Sequence, residues 1–135
     1  MKPPVLDSSA VLAMLFGEPG MEEMRALLHR ANTADRPLLI TAVNWAEVLY
    51  RTEARQGAAG VATARLLANH GPLAVVPVDV EQAEIAADYK SSGRLGLADA
   101  FCAALAKLRN TELVTADLDF KVLEKEIKIT WLKTP

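Results

Sequence analysis

Val5-Leu6-Asp7-Ser8-Ser9 constrains this chain more than any other stretch. A short apolar run ends in an acid, two hydroxyl residues follow, and an apolar helical pattern starts at Ala10. A run this short, bounded by turn and cap residues, reads as a strand buried on both faces rather than as one side of a helix. It delivers a carboxylate to the carboxyl end of a parallel sheet. In open α/β sheets, ligands collect there, where the strand order reverses.

The rest of the chain repeats the unit. Leu38-Leu39-Ile40, Leu73 to Val78, Glu112 to Thr115 and Lys128 to Leu132 are the other short apolar runs. Helical spacing fills the gaps between them. One helix follows a Ser8 or Ser9 cap and stops at Gly17-Glu18-Pro19-Gly20, and a second runs from Met21 to Asn32. Thr41 caps a helix from Ala42 to Gln56, which Gly57 closes, and Ala58 to Asn69 is a further helix. Asp79 caps a helix through Tyr89, Leu97 to Arg109 is alanine-rich and helical, and a short helix surrounds Phe120 to Leu123. Strands alternating with helices predict an α/β fold: a parallel sheet, helices on both faces, right-handed crossovers.

A chain of 135 residues with 51% hydrophobic and 24% charged residues can bury a real core, and a single domain over 1–135 is expected. One cysteine, Cys102, excludes an intrachain disulfide. Met1-Lys2-Pro3-Pro4 lacks the apolar core of a signal peptide, and no apolar run is long enough to span a bilayer. A cytoplasmic protein without membrane contact is expected. The net charge of −2 argues against nucleic-acid binding by overall positive charge. It does not exclude binding through acids covered by a cation, which reverses the local field. His29 and His70 have no cysteine at ligand spacing, so a zinc site is not expected.

Four acids stand at comparable places: Asp7, Glu47, Asp99 and Asp117. Each has an ordinary explanation. Asp7 could cap the next helix, Asp99 sits where a helix dipole favours an acid, and Asp117 lies in a turn-forming Ala116-Asp117-Leu118-Asp119. Glu47 falls within an apolar stripe of Val43, Ala46, Tyr50 and Ala54, where a solvated glutamate is out of place; an ion pair with Arg51 is its alternative. Together they are harder to explain, because strand ends and first helical turns meet at one rim of a doubly wound sheet. At about 4 Å and an effective dielectric near 20, each pair of carboxylates repels by roughly 4 kcal/mol. Protons or a cation relieve that, and oxygen-only ligands favour magnesium or manganese.

Val5-Leu6-Asp7-Ser8-Ser9-Ala10, Asn44-Trp45-Ala46-Glu47-Val48-Leu49, Leu97-Ala98-Asp99-Ala100-Phe101 and Leu113-Val114-Thr115-Ala116-Asp117-Leu118-Asp119-Phe120 resemble, in order and spacing, a PIN domain of the VapC toxin type. The resemblance covers essentially the whole chain. It implies a three-layer α/β/α fold whose five-stranded parallel sheet has the order 3-2-1-4-5. It also implies a Mg2+- or Mn2+-dependent endoribonuclease. Such an enzyme hydrolyses RNA phosphodiester bonds with a metal-activated water, leaving 5′-phosphate and 3′-hydroxyl ends. The implied partners are a cognate VapB-type antitoxin and a second copy in a homodimer. Asp7, Glu47, Asp99 and Asp117 match the family's catalytic and metal-binding acids. Thr115 matches its supporting hydroxyl, and Asp119 and Ser8 are assigned supporting places beside the ligands. Ala116 stands where glycine or serine is commoner.

No histidine or lysine is placed as an obvious general base. Arg51 and Arg55 follow Glu47 at four-residue steps, and Lys90 and Arg94 precede the Asp99 helix. These four are candidates to grip RNA, against an ordinary role as solvated charge. Trp45 and Phe101 read as core packing. A haloacid-type phosphatase needs a second Asp where Ser9 stands. The other reading is a non-catalytic PIN-fold regulatory or binding protein, against which four repelling acids argue.

Overall fold

The computed structural model describes residues 2–93 and 95–134. Five strands, β1 (Val5–Leu6), β2 (Leu38–Thr41), β3 (Leu73–Val76), β4 (Leu113–Thr115) and β5 (Ile129–Trp131), form one parallel sheet in the order β3-β2-β1-β4-β5. Five helices pack on it: α1 (Ser8–Leu15), α2 (Met21–Thr33), α3 (Ala42–His70), α4 (Val80–Ser91) and α5 (Leu97–Arg109). A 3₁₀ helix, Leu118–Leu123, joins β4 to β5. This is the three-layer arrangement and strand order that the resemblance implied.

Two cores explain why the strands are apolar throughout. Successive side chains point to opposite faces. Leu6, Leu38, Ile40, Leu73 and Val114 meet α1, α2 and α3 through Val11, Leu12, Met24, Val48 and Ala64. Val5, Leu39 and Leu113 meet the other layer, where Cys102, Ala103, Leu105 and Ala106 of α5 pack with Phe120. Alanines let α5 lie close to its neighbour: Ala100 and Ala104 touch Ala86 of α4. Among the described residues, no helix is long and apolar enough to cross a membrane.

Several expectations are corrected. The first helix begins at Ser8, and Asp7 holds its N-cap position without a side-chain cap bond. Its carboxylate is engaged elsewhere. β3 ends at Val76 because Pro77, which has no N–H, cannot continue the ladder. The two helices expected over 42–69 are present: α3 is broken at Gly57, whose backbone is not helical, and the second half runs on to His70. At Gly57 φ is 70° and ψ is −163°, a conformation essentially confined to glycine. The buried face of α3 is Asn44, Val48 and Thr52, not the stripe read from sequence. Ala46 and Ala54 are exposed and Tyr50 is 61% exposed. A row offset by two residues lies on another face of a 3.6-residue helix. Glu47, three residues after Asn44, borders the buried face and is half-buried.

Candidate metal centre

Sheet register builds the site. In β1, Val5 pairs with Leu113 and Leu6 with Val114, so Asp7 emerges beside Thr115. The Asp7 N–H donates to the Val114 carbonyl at 2.9 Å and fixes it there. Asp117 follows two residues beyond β4. β1 and β4 flank the point where the strand order reverses, so the acids after them become neighbours. Asp99 arrives from the first turn of α5. One carboxylate oxygen from each of Asp7, Asp99 and Asp117 lies within 4.8 Å of the others.

Two hydroxyls orient Asp7. Ser9 Oγ donates to Asp7 Oδ2 at 2.7 Å and accepts from the Ala116 N–H at 3.0 Å. Thr115 Oγ1 donates to the same oxygen at 2.9 Å and accepts from the Asp117 N–H at 2.9 Å. Each hydroxyl has one proton, and both protons go to Oδ2. Oδ1 is buried without a hydrogen-bond partner. A buried charged oxygen without a partner is costly. The Asp7 carboxylate belongs to a cluster of three, so a hard cation is the partner that fits all of them. Asp117 Oδ1 accepts from the Asp119 N–H at 2.9 Å, which steadies the third ligand.

Burial and mutual repulsion hold protons on this cluster when no cation neutralises it. Burial pushes the Asp7 carboxyl up from 3.8 to about 6, although the Ser9 and Thr115 hydrogen bonds pull the other way. Asp99 rises to about 7, first through burial and then through the charges of Asp7, Asp117, Glu47 and Asp119. Cys102 is buried beside these acids, and burial first, then their charge, keeps its thiol protonated. It is not a thiolate ligand.

The structure sorts the acids and bases named from sequence. Asp7, Asp99 and Asp117 converge, whereas Glu47 stands outside that trio. Glu47 adds to the charge around Asp99, and its Oε2 lies 3.8 Å from Arg51 Nη1. The acid and its ordinary ion pair therefore coexist. The Thr115 hydroxyl donates to Asp7, and the Asp119 N–H donates to Asp117. Ser8 is a correction. Its hydroxyl donates to the Asn44 carbonyl and accepts from Asn44 Nδ2, both at 3.2 Å, while Ser9 serves Asp7. Ser8 and Ser9 are about 100° apart on a helix, so only one can face the acid. Arg51 and Arg55 line a cleft beside Asp117, which Lys90, exposed on the last turn of α4, does not. Arg94 lies outside the described residues.

Sequence reasoning missed Asn44. It is fully buried, and its Nδ2 also donates to the Ala98 carbonyl at 3.1 Å, while its Oδ1 accepts from Thr41 Oγ1. One side chain thus ties together the starts of α1, α3 and α5, which carry Asp7, Glu47 and Asp99. The available signal was Thr41-x-x-Asn44, a cap residue followed three positions later by a polar side chain, as in a capping box.

Fold and pocket together define an α/β protein with a trio of carboxylates, Asp7 buried and Asp99 and Asp117 half-buried, at the switch point of its sheet, fitted to a divalent cation. The chain belongs to the PIN domain family, whose pattern it matches over residues 5–126. Nucleases of this family need divalent metal. A curated relative, a VapC ribonuclease from Mycobacterium bovis, is 31% identical over 124 residues, covering 87% of this chain and 92% of the relative. Ribonuclease VapC30 from Mycobacterium tuberculosis matches to the same extent. Among solved structures, DNA-bound VapBC from Salmonella typhimurium has a TM-score of 0.72 at 18% identity, covering 96% of this chain and 98% of that one. The Sarcin-Ricin loop cleaving toxin VapC20 from Mycobacterium tuberculosis has a TM-score of 0.70 at 17% identity, covering 87% and 92%. These two establish shared fold.

Proposed function

We infer that this chain, a single PIN domain, is a metal-dependent endoribonuclease and the toxin of a VapBC-type toxin–antitoxin pair. The observation that carries the reading is the Asp7 carboxylate, whose Oδ1 is buried without a partner and which lies in one cluster with the carboxylates of Asp99 and Asp117. A purely regulatory protein gains nothing from keeping it. The ribonuclease names of the curated relatives and the VapBC neighbours support the same conclusion.

Asp7, Asp99 and Asp117 would hold Mg2+ or Mn2+, because an all-oxygen donor set of hard carboxylates suits those ions. Such an ion supplies an acidified water and neutralises charge on the scissile phosphate. The protein's own groups do the rest. Asp7 and Asp99 give up protons as the site fills, and Ser9 and Thr115 hold the Asp7 carboxylate in place through Oδ2. Glu47 adds negative potential at the rim and holds Arg51 near the place a phosphate would take. Arg51 and Arg55 attract the RNA backbone to an otherwise acidic pocket.

A VapB-type antitoxin and a second copy of the chain are the partners that accompany this function. The exposed apolar row Ala46, Tyr50 and Ala54 on α3 supports a protein partner. The test is RNA cleavage by the purified chain in chelator, then with Mg2+ or Mn2+ restored. Activity should appear only with the ion and vanish in Asp7→Asn and Asp99→Asn. Cleavage by either variant at the parent rate would refute the assignment.

A further inference from the structure

A cleft of about 650 Å³ opens beside the acid trio. Ser9, Ala116 and Asp117 form part of its wall, so it is continuous with the metal centre. Phe16, Arg55, Arg51 and Lys133 also line it. The Arg55 guanidinium lies over the Phe16 ring, 4.3 Å from its centroid, which makes a flat, cationic surface. Among the described residues, neither Arg55 nor Lys133 is held in an ion pair. On a chain of net charge −2, this places positive charge and a stacked aromatic ring beside Asp117 of the trio.

We propose that this cleft seats one unpaired nucleotide of a single-stranded RNA, its base against the Phe16–Arg55 stack and its flanking phosphates near Arg51 and Lys133. The proposal deepens the ribonuclease reading and rests on it for the identity of the ligand. Cations tracking a backbone beside an aromatic platform are the physical recipe for single-strand binding. The strand must be unpaired because a base in a duplex is already stacked and paired, and its flat face is unavailable. Asp7 is only 2% exposed, so the scissile phosphate must also reach into a recess. A flexible strand can bend to do so while its neighbouring base enters the cleft. Stacking accepts any base, so the cleft selects for an unpaired nucleotide rather than for one sequence.

The test is binding rather than turnover. Fluorescence anisotropy would follow a labelled RNA oligonucleotide, single-stranded or annealed to its complement, on the full chain carrying Asp7→Asn to prevent cleavage. The single strand should bind at least about tenfold more tightly than the duplex. Adding Arg55→Ala should weaken single-strand binding about tenfold and duplex binding by no more than about twofold. Arg55→Lys, which keeps the charge and loses the planar stack, should recover little of it. Lys133→Ala should flatten the salt dependence by about 0.7 in log–log slope. If Arg55→Ala does not change single-strand affinity, or if duplex binds equally well, the proposal is wrong. Loss of VapB-type antitoxin binding with RNA affinity intact would assign the cleft to the protein partner and overturn it too. Cleavage by the parent chain is scored separately. Arg55-dependent RNA binding without cleavage would sink the nuclease reading and leave the cleft standing, and cleavage with Arg55-independent binding would do the reverse.

Discussion

Replacing Asp7 by Asn should make the metal-free protein more stable while destroying its activity. Asn Oδ1 can accept from Ser9 and Thr115 as Asp7 Oδ2 does, at 2.7 and 2.9 Å, so the local hydrogen bonds survive. What disappears is the charge on a side chain that is 2% exposed. Burial raises the Asp7 carboxyl from 3.8 to about 6. A raised carboxyl pKa means that the proton favours the folded chain. This stabilisation is complete below the unfolded value of 3.8 and is lost as pH rises through about 6. The loss is about 3 kcal/mol at pH 7.5. Asn never ionises, so the variant avoids it. In chelator at pH 7.5 the variant should gain up to about 3 kcal/mol, or roughly 10 °C in Tm for a chain of this size. Near pH 3.5 the two proteins should melt together. Urea and thermal unfolding at both pH values measure this directly. A parent chain as stable as the variant at pH 7.5, or a gain of the same size at both pH values, would refute the reasoning.

The other predictions concern the filled site and its supports. Mn2+ at one hundred times its Kd should stabilise the parent by about 2.7 kcal/mol at neutral pH, and Asp99→Asn should lose most of that effect. At subsaturating Mg2+, cleavage should rise steeply between pH 5.5 and 8, because Asp7 at about 6 and Asp99 at about 7 must both ionise to bind the ion. Saturating metal should move that rise to lower pH, and a pH–rate profile at two Mg2+ concentrations reads the shift. Asn44→Leu should destabilise the chain by about 3 kcal/mol in denaturant melts, since it removes the side-chain partner of the Ala98 carbonyl and one hydrogen bond each from Ser8 Oγ and Thr41 Oγ1.

The strand–helix alternation and the strand order were legible because each buried strand is a short, fully apolar run and the motifs fall in family order. The places where acids emerge were legible for the same reason, since strand ends and first helical turns share one rim. Side-chain direction was harder to read. Ser8 and Ser9 are chemically alike, and only the helix start at Ser8 decides which one faces Asp7. The face of α3 was misread because Ala46, Tyr50 and Ala54 form a better apolar row than Asn44, Val48 and Thr52. Asn44 and Thr52 look like surface residues until the contacts of α1 and α5 are known. The exclusion of Glu47 from the trio could not be read either, since it depends on angular position around α3 and on Arg51.

The most direct test is a manganese-soaked crystal of the parent chain examined by anomalous scattering. The account requires one strong peak in contact with Asp7 Oδ1 and with the carboxylates of Asp99 and Asp117, and no such peak in Asp7→Asn. A peak that avoids Asp7, or full occupancy in the variant, would contradict it.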